Sequence, residues 1–318
     1  MTGFRLKVGV VAILAIILAI AHASYSARAD VPPLALRELD LYWGEKIDRL
    51  GPQRAYDEFK DYYSTSLKGS HFAAHTMGNQ LYKKLGLKGI SFCDESFGYG
   101  CYHGLLGQAL VEMGPESIKK AVGDICDLGL RKKQSGCTHG AGHGILEYFG
   151  GDDILKGLET CTYLFGEGSE GGCPNGVFMD YNAPFSSDGT HALYRPFDPH
   201  HPLSPCDRAG LPTRFLDACY ISLASYVWDS VGGIAGVADL CAKAPASRRA
   251  ACYSGIGIQL PGSVGYVQDT VIAECDRLIA DEKIRWCLAQ SATTTQQFGK
   301  SACKIYEKLG VSKDHDCP

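Results

Sequence analysis

Pro115-Glu116-Ser117-Ile118-Lys119-Lys120-Ala121-Val122-Gly123-Asp124-Ile125-Cys126, followed eleven residues later by Cys137-Thr138-His139-Gly140, is the stretch that decides the fold. A proline and an acid at the head of a run mark a helix start: proline has no N–H to leave unbonded there, and the acid faces the positive end of the helix dipole. The stretch reads as a helix ending near Cys126, a loop, and a return helix beginning near Cys137. A disulfide between the two cysteines then staples the hairpin across its loop.

The same arrangement recurs outward in both directions. In chain order the 14 cysteines form couples: Cys93/Cys101, Cys126/Cys137, Cys161/Cys173, Cys206/Cys219, Cys241/Cys252, Cys275/Cys287 and Cys303/Cys317. Separations within couples are 8, 11, 12, 13, 11, 12 and 14 residues, and the second members advance by 36, 36, 46, 33, 35 and 30. A period near 35 is the length of a two-helix solenoid unit. Asp152-Asp153-Ile154-Leu155 opens another helix, and Val237-Ala238-Asp239-Leu240-Cys241 and Arg249-Ala250-Ala251-Cys252 repeat the pattern. No long alternating run marks a sheet. The expected fold is all-α: disulfide-stapled helical-hairpin repeats, one local bridge per unit, forming a curved α/α solenoid or toroid over residues 30–318 as a single domain.

One interval breaks the period. Residues 182–205 hold Pro184, Pro196, Pro199, Pro202 and Pro205 together with His191, His200 and His201. Five prolines in that span rule out a continuing helix, so a long irregular loop on one face is expected. The glycine-rich stretch 166–172 reads as the hairpin loop before Cys173.

At the amino terminus Arg5 and Lys7 precede an apolar run, Val8 to Ala21, of 14 residues. A transmembrane helix needs about 20. Ala21-His22-Ala23 and Ala27-Arg28-Ala29 are small-residue cleavage patterns, so residues 1–29 read as a cleaved secretory signal, with an uncleaved anchor as the rival. Either way the body lies in an oxidising compartment, secreted or periplasmic. Loss of residues 1–29 removes Arg5, Lys7 and Arg28 and no acid, leaving 28 basic residues against 35 acidic. An acidic chain without a basic run is no candidate for nucleic acid or for an anionic membrane surface.

Aligned on their cysteines, the return helices differ at the third position: His103, His139 and Asn175, then Ile221 and Ser254. Upstream, Ser70-His71-Phe72-Ala73-Ala74-His75 places His71 32 residues before His103. Stacked hairpins set equivalent positions side by side, so His71, His103, His139 and Asn175 form a polar column. His71/His75 and His139/His143 are i, i+4 pairs whose imidazoles share a helix face and can share an ion. One helix cannot bring i and i+8 to the same ion, since they lie about 12 Å apart. The ligand set therefore combines a pair from one helix with His103 or a second pair. His71, His75, His103, His139 and His143 are the candidate metal ligands, with Glu147 the candidate general base and Glu112, Asp180 and Asn79 nearby. Neutral imidazole suits zinc, copper or iron. Gly140, Gly142 and Gly144 interrupt the helix-forming composition of this segment, as glycines do where helices pack closely or a ligand approaches.

Familiar catalytic motifs are absent: there is no phosphate-binding loop, no dinucleotide fingerprint, no His-Glu-x-x-His and no haem-attachment motif. Two function classes follow. One is a secreted helical-repeat protein with a histidine-rich metal site, either a binding protein or an enzyme of unassigned reaction, taking an unidentified small molecule. The other is a protein-binding solenoid with structural histidines, in which Tyr99, Tyr102, Tyr148, Tyr220, Tyr226, Trp228 and Tyr253 supply contacts wherever they are not core.

Overall fold

The computed structural model describes residues 36–64, 69–127, 134–166, 172–183 and 195–311. Over these residues the protein is all-α, with thirteen helices and no strand. They are α1 (Leu36–Leu50), α2 (Pro52–Ser64), α3 (Ser70–Leu85), α4 (Ser96–Asp127), α5 (Gln134–Tyr148), α6 (Ile154–Phe165) and α7 (Cys173–Asn182). After the proline-rich interval come α8 (Leu216–Tyr226), α9 (Ile234–Lys243), α10 (Arg249–Ser263), α11 (Gln268–Asp276), α12 (Asp281–Gln297) and α13 (Cys303–Leu309). No described helix is long and apolar enough to cross a membrane. Residues 1–29, where the signal segment is expected, lie outside the described residues.

Local chemistry explains the helix boundaries. Asp153 caps α6 by accepting a hydrogen bond from the Lys156 N–H at 3.1 Å, which satisfies one of the amides that a helix start leaves unpaired. Pro115 opens a helical segment as expected, but without a gap. Gly114 takes φ 71°, and the segment continues from the preceding helix across that kink, because the residue before proline is barred from the helical region. Along α1, Leu39, Trp43 and Ile47 recur every four residues and are buried; Trp43 meets Phe59 of α2 edge-on at 5.0 Å between ring centres.

Five disulfides link nearby helices or their flanks: Cys93–Cys101, Cys161–Cys173, Cys206–Cys219, Cys241–Cys252 and Cys275–Cys287. All five are the local pairs expected from spacing. Cys161, Cys241 and Cys275 lie in the outgoing helix of a hairpin, whereas Cys93 directly follows the 3-10 helix Gly86–Phe92 and Cys206 stands in a turn. Cys137 and Cys303 are also disulfide-bonded. The side chain of Cys126 and the whole of Cys317, their expected partners, lie outside the described residues.

The helices that carry the second cysteine of each pair pack in succession: α4 on α5, α5 on α7, α7 on α8, α8 on α10 and α10 on α12. α3 packs on α4 ahead of them, and the end of α12 returns to the start of α4, where Tyr99 and Gln297 share a hydrogen bond. Between them lies a continuous apolar core that includes Tyr102, Tyr220 and Tyr253, each 1% exposed. Those three rings are therefore core and not a partner surface; of the aromatic residues considered for contacts, Tyr148 is exposed. In the proline-rich interval, residues 184–194, His191 among them, lie outside the described residues. Residues 195–207 are coil and turns, and Arg195 ties them back to the body through the Gly151 carbonyl at 2.7 Å and Asp152 at 2.6 Å.

Candidate metal centre

Three adjacent helices supply the five histidines: α3 carries His71 and His75, α4 carries His103, and α5 carries His139 and His143. The glycines that follow His103, His139 and Asn175 set how closely the helices approach. A Cβ on Gly104 would fall on the His75 carbonyl oxygen, and one on Gly176 would fall on that of His139. The glycines of α5 do not break it; the helix runs from Gln134 to Tyr148. They remove side chains at contacts between helices: a Cβ on Gly144 would lie 2.6 Å from the Gly107 carbonyl oxygen.

This proximity brings the imidazoles together. Ring centres lie 5.1 Å apart for His71 and His103 and 4.6 Å for His103 and His139, so three column histidines stand side by side on successive helices. Both i, i+4 pairs turn toward the same place, with His71 and His75 at 4.8 Å and His139 and His143 at 5.1 Å. His103 is the hub. His71, His75 and His103 form one potential ligand triad, and His103, His139 and His143 form another, with the ligand atoms of each within 4.8 Å of one another.

The contacts in the first triad have the dimensions of a coordination sphere. His71 Nε2 and His75 Nε2 are 3.2 Å apart, and His75 Nε2 and His103 Nδ1 are 3.3 Å apart. A tetrahedral ion with bonds of about 2.0–2.1 Å holds its ligand atoms about 3.3–3.4 Å from each other. His71 is also oriented from behind. Its Nδ1 donates to the Phe97 carbonyl oxygen at 2.7 Å, and because a carbonyl only accepts, the proton is on Nδ1 and the Nε2 lone pair faces His75. The Phe97 carbonyl is aimed by a turn in which Phe97, Gly98 and Tyr99 all take left-handed φ values of 55°, 64° and 64°. Two of these are not glycine, which costs on the order of 1–3 kcal/mol each.

Burial decides the protonation of the cluster. His75, His103 and His143 are buried, and His71 and His139 are partly so. Desolvation lowers the His71 pKa to about 4, with the Phe97 carbonyl opposing and the His143 ring adding to the shift. His75, His103 and His139 are held well below the ordinary imidazole range by burial first and by neighbouring rings second. These four imidazoles are therefore neutral at physiological pH, the form that donates a lone pair to a metal. His103 Nε2, His139 Nε2 and both ring nitrogens of His143 are buried without a hydrogen-bond partner. Each such atom costs about 1–3 kcal/mol unless something satisfies it; a neutral imidazole has one N–H and one bare lone pair, and a bound cation would satisfy the lone pair. Either triad could hold a metal ion.

Beside the triads lies a cavity of about 20 Å³ whose wall includes His75, His103, His143, Asn79, Glu147 and Asp180. Asp180, on α7, is buried, with Oδ1 3.6 Å from His143 Nδ1. Glu147, two helical turns after His139, faces this cavity and not the far side of the cluster. Glu112 instead accepts a hydrogen bond from Gln108 at 2.9 Å on the exposed side of α4. The Oδ1 of Asn175, the fourth residue of the expected column, is buried without a hydrogen-bond partner. His200 and His201 are exposed, with His201 paired to Asp198 at 2.9 Å. Sequence reasoning missed the Phe97 carbonyl, because a backbone oxygen leaves no compositional signal; Gly107, a helix-interrupting glycine in the sequence, lies on the cavity wall. No protein-family model, curated protein or solved structure matches the chain.

Proposed function

We propose that this is an extracytoplasmic metal-binding protein whose ion is held by histidines of α3, α4 and α5 around His103. The spacing of His71, His75 and His103 carries this reading: their nitrogen atoms stand at 3.2 and 3.3 Å, the edges of a tetrahedral coordination sphere. Zinc, copper and iron all suit neutral imidazole. The many disulfides suggest an oxidising location outside the cytoplasm, consistent with export through the segment at residues 1–29. The scaffold is read as a closed α/α toroid of hairpins with a period near 35. The succession of packed return helices and the contact of α12 with α4 support that reading.

The test is elemental analysis of protein purified without a histidine tag. About one metal ion per chain is expected in the wild type. His103→Ala, which removes the ligand common to both triads, is expected to lose it while keeping the helical circular dichroism spectrum. No stoichiometric metal in the folded wild type, after exposure to zinc, copper and iron in turn, rejects the reading.

A further inference from the structure

The cavity beside the histidines adds a feature that the two triads alone do not. Its wall takes His75 from the first triad, His143 from the second and His103 from both, together with Asp180 and Glu147. An ion in either triad thus has two of its three imidazoles on the cavity wall. His71 and His139, the outer members, are not on that wall.

Structural sites saturate the ion with four protein ligands, whereas sites that do chemistry offer three and leave a position for water or substrate. We infer that an ion bound here has three histidine ligands and an open coordination position facing this cavity, which admits water or a small monoanion and nothing larger. The cavity's volume of about 20 Å³ exceeds the roughly 10–15 Å³ that one water molecule needs, and its polar wall supplies the hydrogen-bond partners such a water requires. A carboxylate has room to accept several hydrogen bonds, so Asp180 and Glu147 orient the O–H bonds of a metal-bound water. Two buried nitrogens of His143 and one of His103 without hydrogen-bond partners border the same space. This inference rests on the metal reading above and deepens it by naming the class of exogenous ligand.

Gly107 makes the inference testable without touching a ligand. It lies on the cavity wall, and a Cβ there would meet nothing nearer than the Gly144 nitrogen at 4.0 Å. Gly107→Ala thus adds a methyl without striking backbone; Gly107→Val adds two more carbons to fill the cavity, with Gly107→Ala the milder second variant should valine impair folding. The experiment loads cobalt(II) into the wild type and the variants, measures retained cobalt after gel filtration, and titrates azide while following the visible absorption. Expected are one cobalt per chain in every protein, a saturable spectral change with azide in the wild type, and roughly tenfold or greater weakening in the filled variant. Cobalt that is retained but blind to azide in the wild type overturns the inference and leaves the metal site standing. So does a folded Gly107→Val, or a folded Gly107→Ala if valine prevents folding, that titrates like the wild type. Folded wild type that retains no cobalt overturns both.

Discussion

The stack from α3 to α7 and the stack from α8 to α12 are built alike at the backbone and differ in what they display. In the first, Gly176 sits against the carbonyl of His139 and Gly142 against that of Cys173; in the second, Gly255 sits against the carbonyl of Ile221 and Gly257 against that of Cys287. Counted from the cysteine, these glycines occupy the same places, three and five residues on. The position two residues after the cysteine is His139 in one case and Ile221 or Ser254 in the other. Residues 202–311 contain no histidine at all. The helical stack therefore does not need imidazoles to form, and the histidines are chemistry carried by a scaffold that stands without them.

Reduction is the harshest way to probe the likeness of the two halves, since both rely on the same staples. Each loop of 8 to 13 residues closed by the five described disulfides is worth roughly 2.5–3 kcal/mol in the chain-entropy model. Together they rival the roughly 5–15 kcal/mol net stability of an ordinary domain. Full reduction, verified by thiol titration, is expected to abolish cooperative melting in circular dichroism. A reduced protein that melts as a whole at the original temperature would show that packing alone suffices.

A matched pair of substitutions separates scaffold from site. Gly176→Ala and Gly255→Ala each drive a methyl into a neighbouring carbonyl, so both are expected to lower stability by about 1–3 kcal/mol in urea denaturation. Gly176→Ala, which presses on the His139 backbone, is expected also to weaken metal binding, and Gly255→Ala is not. Equal effects on metal binding would break the division between the halves.

The smallest effect is the pH dependence of the metal-free protein. His71 titrates at about 4 in the fold, and His75, His103 and His139 are also depressed, whereas an unfolded imidazole titrates near 6.5. Between about pH 6.5 and 4 the unfolded chain binds more protons than the folded one, so stability falls as pH falls through that window. The Asp180 carboxylate lies 3.6 Å from His143, a histidine of the same cluster. The urea midpoint is expected to drop from pH 7 to 5, with a shallower slope in His71→Gln. An unchanged slope in that variant would place the proton uptake elsewhere.

Much of this was legible because the signals were local. Cysteines 8 to 14 residues apart can close only short loops, and recurrence at a steady interval pointed to one pairing; the five described bridges follow it. The i, i+4 pairs of α3 and α5 were readable for the same reason, since helical geometry alone places both rings on one face. The left-handed turn at Phe97–Tyr99 was not readable. Phenylalanine and tyrosine rarely adopt that conformation, and the packing around them is what holds them there. Nor was the contact of α12 with α4, which joins Gln297 to Tyr99 across almost 200 residues of chain.

By itself the sequence determined an all-α chain, its local disulfides and a column of histidines on successive helices, because covalent spacing and helical periodicity are properties of neighbours along the chain. Only the tertiary structure decided that four imidazoles converge on a fifth, His103, that Phe97 fixes the tautomer of His71, and that a cavity with two carboxylates opens beside them. Those outcomes depend on how closely one helix backbone approaches the next, a distance set by glycine against carbonyl across helices and invisible to any pattern read along a single strand of text.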